Sequence, residues 1–293
     1  MRQSLRFDVQ GDACAAWFFQ PEGDGPYPVV VMAHGLAAIK EMRLDAYAEL
    51  FTAAGYACLV FDYRHFGDSD GEPRQLLDVK KQHQDWQAAI AFAAQLPGVD
   101  PHKIALWGTS LSGGHVLEVA AEVPGIAAVI AQVPHLSGLA SLGMISLGKM
   151  LALTLHGSYD ALRGLLGLSP HYILSSGEPG ELAIMTSPGE SQGYLQLVPD
   201  GCDFDRRIAA RFATSVGLYS PVKALARLSM PVLLQVATED VTTPAKPALE
   251  AAPHYPNVEL QQYQTGHFQP YVEPMFSRIA GDQLAFLHKV LPQ

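Results

Sequence analysis

Hydrophobic and polar positions along the chain fall into two alternating patterns. Residues 1–20 alternate as two short strands, SLRFDVQ and ACAAWFF, with Gly11-Asp12 as the turn. After a proline-bounded loop (21–28), PVVVMAHG is a continuous apolar, β-branched run of the kind found in a strand buried on both faces. YACLVFD, KIALWG and GIAAVIAQV repeat that signature. Between them lie helical stretches: 42–54 closed by Gly55, the amphipathic 77–95 ending before Pro97, and SLSGGHVLEVAAEV. Strands alternating with helices predict an α/β fold, a mostly parallel central sheet with helices on both faces.

The alternation stops at Pro134. Residues 134–229 are rich in Leu, Met, Ser and Gly and read as helical and irregular, without buried strands. It resumes at PVLLQVA, a short helix near 244–252, the strand NVELQQY and a final helix near 271–290. The expected organisation is one core, 1–133 and 230–293, carrying an inserted helical cap at 134–229. The uncharged stretch Val123 to Gly148 is long enough to raise a membrane question. Pro124, Pro134, His135, Gly138 and Gly143 interrupt it, so it reads as a strand followed by a separate apolar helix. In the cap, Leu136, Leu139, Met144, Ile145, Leu147, Met150, Leu151 and Leu155 recur at helical spacing and are expected mainly to pack onto the core.

Composition narrows the function. Of 293 residues, 48% are apolar and 16% charged, with a net charge of −10; this excludes a disordered chain. No Lys/Arg block supplies the basic stripe that nucleic acid needs. Three scattered cysteines, Cys14, Cys58 and Cys202, form no disulfide framework and no CxxC pair. Met1 to Asp12 has no apolar segment of the signal-peptide kind, so a cytoplasmic protein without stable membrane insertion is expected. Nothing in the composition opposes a homo-oligomer.

The chemistry centres on Gly108-Thr109-Ser110-Leu111-Ser112-Gly113-Gly114, which follows a buried strand and opens a helix. A serine hydroxyl attacks only when exposed, held in a strained turn and set beside a base. A tight strand-to-helix turn provides that, and its flanks must be small because the backbone crosses itself closely. The usual pattern is G-x-S-x-G; Ser112 replaces the second glycine, and Gly113 follows at once. A helix-capping serine in a glycine-rich turn would use the same letters; the strand before it and the helix after it favour the nucleophile.

His267, in Thr265-Gly266-His267-Phe268, follows the last strand, where functional groups gather in parallel sheets. His254 and His288 are the alternatives, one before that strand and the other on the final helix. Asp240, after PVLLQVA, would hold the imidazole; Glu239 is its rival. His34-Gly35-Leu36 ends the first buried strand. The backbone N–H groups of Leu36 and Leu111 would form an oxyanion hole. Asp62 and Arg64 are expected to brace the turn after the next strand. His34, His65, Leu136 and Met144 are candidate substrate-binding residues. No HExxH, His/Asp cluster, Walker loop or GxGxxG points to a metal or cofactor.

The order Ser110, Asp240, His267, together with HGLAAIKEMRLDAYAELF, FDYRHFGDSDGEPRQ, GTSLSGG and TGHFQPY, resembles the α/β-hydrolase superfamily over nearly the whole chain. Within it, the motifs look like a cap-bearing group described as S15-peptidase-like, which includes relatives of fungal polyketide hydrolases and transferases. His65 departs from the common D-x-R-G-x-G-x-S loop, where glycine is usual. The resemblance implies a serine hydrolase that forms an acyl-enzyme. Together with the apolar cap it leads us to expect a neutral, largely apolar small-molecule ester or thioester as substrate. An acyltransferase with the same three residues, and a non-catalytic binding protein on this scaffold, are the competing readings.

Overall fold

The structure is a computed structural model that describes residues 2–293. Its elements are, in chain order, β1 (Arg2–Val9), β2 (Asp12–Phe19), β3 (Tyr27–Ala33), α1 (Leu44–Ala53), β4 (Ala57–Phe61), α2 (Val79–Ala93), β5 (Val99–Thr109), α3 (Leu111–Glu122) and β6 (Ile126–Gln132). Then come α4 (Gly138–Leu142), α5 (Leu147–Leu165), β7 (Tyr172–Ser176), β8 (Ala183–Met185), α6 (Glu190–Leu195) and β9 (Arg207–Ala209). The chain closes with β10 (Val232–Ala237), α7 (Lys246–Ala251), β11 (Val258–Tyr263) and α8 (Met275–Val290).

Eight strands form the main sheet in the order β1-β2-β4-β3-β5-β6-β10-β11. β1 and β2 run antiparallel to their neighbours and the rest pair in parallel. This is an α/β-hydrolase fold. The hairpin turn is Gln10-Gly11, both at positive φ, the conformation that suits a two-residue hairpin; Asp12, expected in the turn, already pairs with Val9. β3, β4 and β10 are buried at almost every position, as their apolar runs predict.

A buried amide network crosses the centre of the sheet. Gln283 on α8 donates to Gln132 Oε1 at 2.9 Å and Gln235 Oε1 at 2.7 Å, and accepts from Trp107 Nε1 at 2.9 Å. It ties together β5, β6 and β10, whose C-terminal ends carry the residues discussed below. A second cluster, centred on buried Lys40 and Asp62, braces the loops after β3 and β4. Lys40 Nζ bonds Asp62 at 2.8 Å, Asp68 at 2.6 Å and Glu41 at 2.7 Å, while Asp62 also accepts Lys40 N and Asp68 N. Burial works against both charges. Hydrogen bonding to His34 and the Lys40 ammonium prevails at Asp62, whose carboxyl is held below its usual range. Arg64 likewise bonds buried Asp85 through its guanidinium and its backbone N–H.

The segment between β6 and β10 departs from the sequence reading in two respects. It contains a three-stranded sheet, β8-β7-β9, with Ile173, Ser175, Ser176 and Ile208 buried. These strands are three to five residues long, too short to show an alternating pattern. The expected apolar helix is broken at 143–146 into α4 and α5. Leu136 and Leu153 are buried, but Leu139, Leu147, Leu151 and Leu155 are more than half exposed rather than packed on the core.

Gln283→Leu should cost about 3 kcal/mol or more in urea unfolding, because Trp107 Nε1 and two glutamine amides lose buried partners. A loss below about 1 kcal/mol would mean that these amides pair equally well without Gln283.

Candidate active site

β5 ends at Thr109 and α3 begins at Leu111, so the whole reversal falls on Ser110, at φ 56° and ψ −121°. A non-glycine residue here is strained by about 1–3 kcal/mol and persists only if its surroundings over-determine it. Ser110 N donates to Gln132 O at 2.9 Å, and Ser110 O accepts from His135 N at 2.8 Å. The flanking glycines are a matter of space. A Cβ on Gly108 would stand 2.2 Å from Ser112 O, and one on Gly35 2.8 Å from Ser110 Cβ. The 34–36 turn therefore lies directly against Ser110.

Ser110, His267 and Asp240 form one buried hydrogen-bonded chain. His267 Nε2 is 3.0 Å from Ser110 Oγ, and His267 Nδ1 is 2.6 Å from Asp240 Oδ2. The other Asp240 oxygen accepts the N–H groups of Thr242 at 2.8 Å and Thr243 at 2.7 Å. Glu239 is exposed and takes no part. Thr243 went unrecognised in the sequence: its Oγ1 lies 2.9 Å from Asp240 Oδ2 and 3.2 Å from His267 Nδ1. The signal was present in Asp240-Val241-Thr242-Thr243, an Asx turn in which an aspartate caps the backbone two and three residues on. Ser112 is fully buried, its Oγ 2.6 Å from Tyr63 OH, which in turn accepts Trp86 Nε1 at 2.8 Å.

Ser110, Leu36, Leu111 and His135 lie along a cavity of about 430 Å³ whose other walls come mainly from the segment between β6 and β10. Met144, Ile145, Met150, Leu153, Met185 and Phe212 make them largely apolar. The N–H of Leu111, first in α3, has no intrahelical acceptor. Two charged residues reach the cavity, and both are engaged. Lys149 Nζ bonds Ile184 O at 2.9 Å and Thr186 Oγ1 at 2.5 Å; Glu190 accepts Thr242 Oγ1 at 2.5 Å and Ser187 N. Glu190 and Tyr194 lie on α6 and could not be singled out from sequence. Tyr194 OH donates to Leu36 O at 2.9 Å, fixing the turn that faces Ser110.

Of the four residues expected to bind substrate, Met144 lines this cavity. His34 borders a small adjoining pocket of about 30 Å³ shared with Ser110 and His267, with its Nε2 3.5 Å from Asp62 Oδ1. The other two lie elsewhere. Leu136 is buried in the core, its carbonyl accepting Val222 N. His65 sits at φ 74° inside the 62–75 turn, its ring against Gly71 and 3.3 Å from Lys81 Nζ.

A buried imidazole array flanks the cavity. His115 on α3 bonds Tyr219 OH at 2.7 Å and Gln82 Oε1 at 2.9 Å, His83 bonds Tyr219 OH at 3.1 Å, and His135 stacks on the Tyr219 ring at 6.0 Å. His135 Nε2 has no hydrogen-bond partner. Burial pushes His83 and His135 down to about 4, His135 with help from His267, and holds His115 well below its usual value. The unfolded chain therefore binds these protons first as pH falls. Stability from this array should be full above about pH 6.5 and decline toward pH 4. Urea titrations across that window should show it, with a smaller decline in His83→Phe; a flat profile would refute it.

The X-Pro dipeptidyl-peptidase (S15) family matches residues 10–162. The quorum-quenching protein AidA of Acinetobacter baumannii is 42% identical over 98% of this chain and 95% of its own length. Polyketide transferase ATR5 of Stachybotrys chlorohalonatus is 34% identical over 61% of this chain and 59% of its own. The α/β hydrolase GrgF of a Penicillium species superposes with a TM-score of 0.83 at 24% identity, covering 100% of both chains. Among the described residues, no helix is long and apolar enough to cross a membrane. The chain belongs to the S15 family of α/β hydrolases and is a hydrolase of ester-type bonds.

Proposed function

We propose that the protein is a serine hydrolase that cleaves a neutral, largely apolar ester or thioester through Ser110, His267 and Asp240. The observation that carries this is the unbroken Asp240–His267–Ser110 chain opening onto an apolar cavity. Ser110 Oγ attacks the carbonyl carbon while His267 Nε2 takes its proton. Asp240, held by two backbone N–H groups and Thr243, keeps His267 Nδ1–H in place and stabilises the imidazolium. The N–H groups of Leu36 and Leu111 receive the oxyanion. As the C–O or C–S bond breaks, His267 gives its proton to the departing alcohol or thiol. Water then attacks the acyl-Ser110 carbonyl, with His267 again as base, and releases the acid.

The substrate class follows from the cavity lining. The lining is mostly apolar, and its two charged side chains, Lys149 and Glu190, are held in place by hydrogen bonds to neutral protein groups, so a neutral substrate fits it best; an ion desolvated against apolar walls is costly. A small signalling molecule with an ester-type bond suits this lining, and the AidA relative is named for quorum quenching. The polyketide-transferase relative supports a second reading, in which an alcohol or amine replaces water as acceptor. Measuring acyl transfer to added alcohols against hydrolysis separates the two.

Ser110→Ala and His267→Ala should each lower kcat by several orders of magnitude in a folded protein, since the three residues act as a unit. Asp240→Asn should also be severe, while Glu239→Gln and Ser112→Ala should be mild. A severe Glu239→Gln beside a healthy Asp240→Asn would reverse the assignment.

Across p-nitrophenyl esters, kcat/KM should climb from acetate, by up to about fourfold per CH₂, until the cavity is full. An acetate optimum or a preference for carboxylate-bearing esters would contradict the substrate class.

A further inference from the structure

Helix α5 is apolar on the wrong side. Its inner face is fixed by buried Leu153, Gly157 and Asp160, with Asp160 bonded to Arg211. Its outer face carries Leu147, Leu151, Leu155, Tyr159, Leu162, Leu165 and Leu166, exposed by 53% to 86%. A helix facing water normally puts charges there. The charged residues of α5 lie off the leucine row and are held within the chain: Lys149 by Ile184 and Thr186, Asp160 by Arg211, Arg163 by Ser169 O and, at the edge of the face, by Tyr159. None interrupts the leucines.

The spacing is specific. Leu151, Leu155, Ser158, Leu162 and Leu165 follow steps of four, three, four and three, the seam of a paired helix, and Ser158 stands at its midpoint. The seam is close to two-fold about that point. In an antiparallel pair centred on Ser158, Leu151 of one copy falls opposite Leu165 of the other, and Leu155 falls one residue from Leu162, opposite Ala161. A small residue at the axis lets the helices approach. We propose that α5 is a two-fold dimer interface in which it packs antiparallel against α5 of a second copy of this chain.

Area and charge both favour a second copy. At roughly 100 Å² of apolar surface apiece, the seven residues present on the order of 700 Å². That exceeds the few hundred Å² of the largest patch on most monomers and approaches the ~800 Å² per partner of a standard interface. The leucine seam itself carries no charge, and the nearest, Arg163, sits at its edge over the Tyr159 ring, so two copies of a chain with net charge −10 can meet there without opposing like charges along the seam. A membrane-surface helix would instead present Lys and Arg beside its apolar face; here the two cations are engaged, and the net charge disfavours anionic lipid. Because Thr154 and Ser158 also line the cavity, the second copy would lie beside its wall.

Sedimentation of the wild type at micromolar concentration should give two chains of 31.6 kDa. Leu155→Glu with Leu162→Glu should give one chain, with unchanged circular dichroism. Ser158→Cys should form a reducible covalent dimer under mild oxidation, and the wild type should not. A monomeric wild type, a dimer that survives the double glutamate variant, or one that Ser158→Cys does not crosslink would overturn the proposal. So would binding of the helix face to phosphatidylcholine vesicles in place of self-association.

Discussion

Everything at the cavity floor depends on one strained residue. Ser110 turns the chain from strand to helix alone, at a backbone conformation that costs about 1–3 kcal/mol. That strain exposes its hydroxyl at the sheet's C-terminal edge, and the neighbours that hold it also assemble the rest. Gly108 is small because Ser112 O crosses it, and Gly35 is small because Ser110 abuts it. Backbone bonds to Gln132 and His135 fix both ends of the turn. The buried Gln283 network sets β5, β6 and β10 in register, so that Ser110, the 133–135 loop and Asp240 arrive together.

The segment between β6 and β10 has two kinds of contact with this floor. Its polar contacts are positional: Tyr194 holds the Leu36 carbonyl, and Glu190 holds Thr242 beside Asp240. Its apolar contacts make the cavity wall. Removing that segment would therefore loosen the floor as well as open the roof. The same helix that contributes Met150 and Leu153 to the wall turns its leucine seam outward.

Much of this was legible in the sequence, for identifiable reasons. Buried parallel strands announce themselves as unbroken apolar runs, and the positions of Ser110, Asp240 and His267 follow from where such runs end. Asp62 and Arg64 brace their turns as the motif suggested. Residues whose roles depend on distant partners were not legible: Tyr194 acts 158 positions from Leu36, and Glu190 acts 52 positions from Thr242. The place of His65 is not legible either, because sequence does not say which way a ring points from a left-handed turn. Nor is the outward face of the α5 leucines, because periodicity reports that a helix has an apolar face, not what covers it.

The most direct measurement is mass-spectrometric mapping of the residue labelled by a fluorophosphonate. The expected result is a single adduct on Ser110 that His267→Ala suppresses. An adduct on Ser112 or another serine, or none on folded protein, would contradict the assignment of Ser110 as the nucleophile.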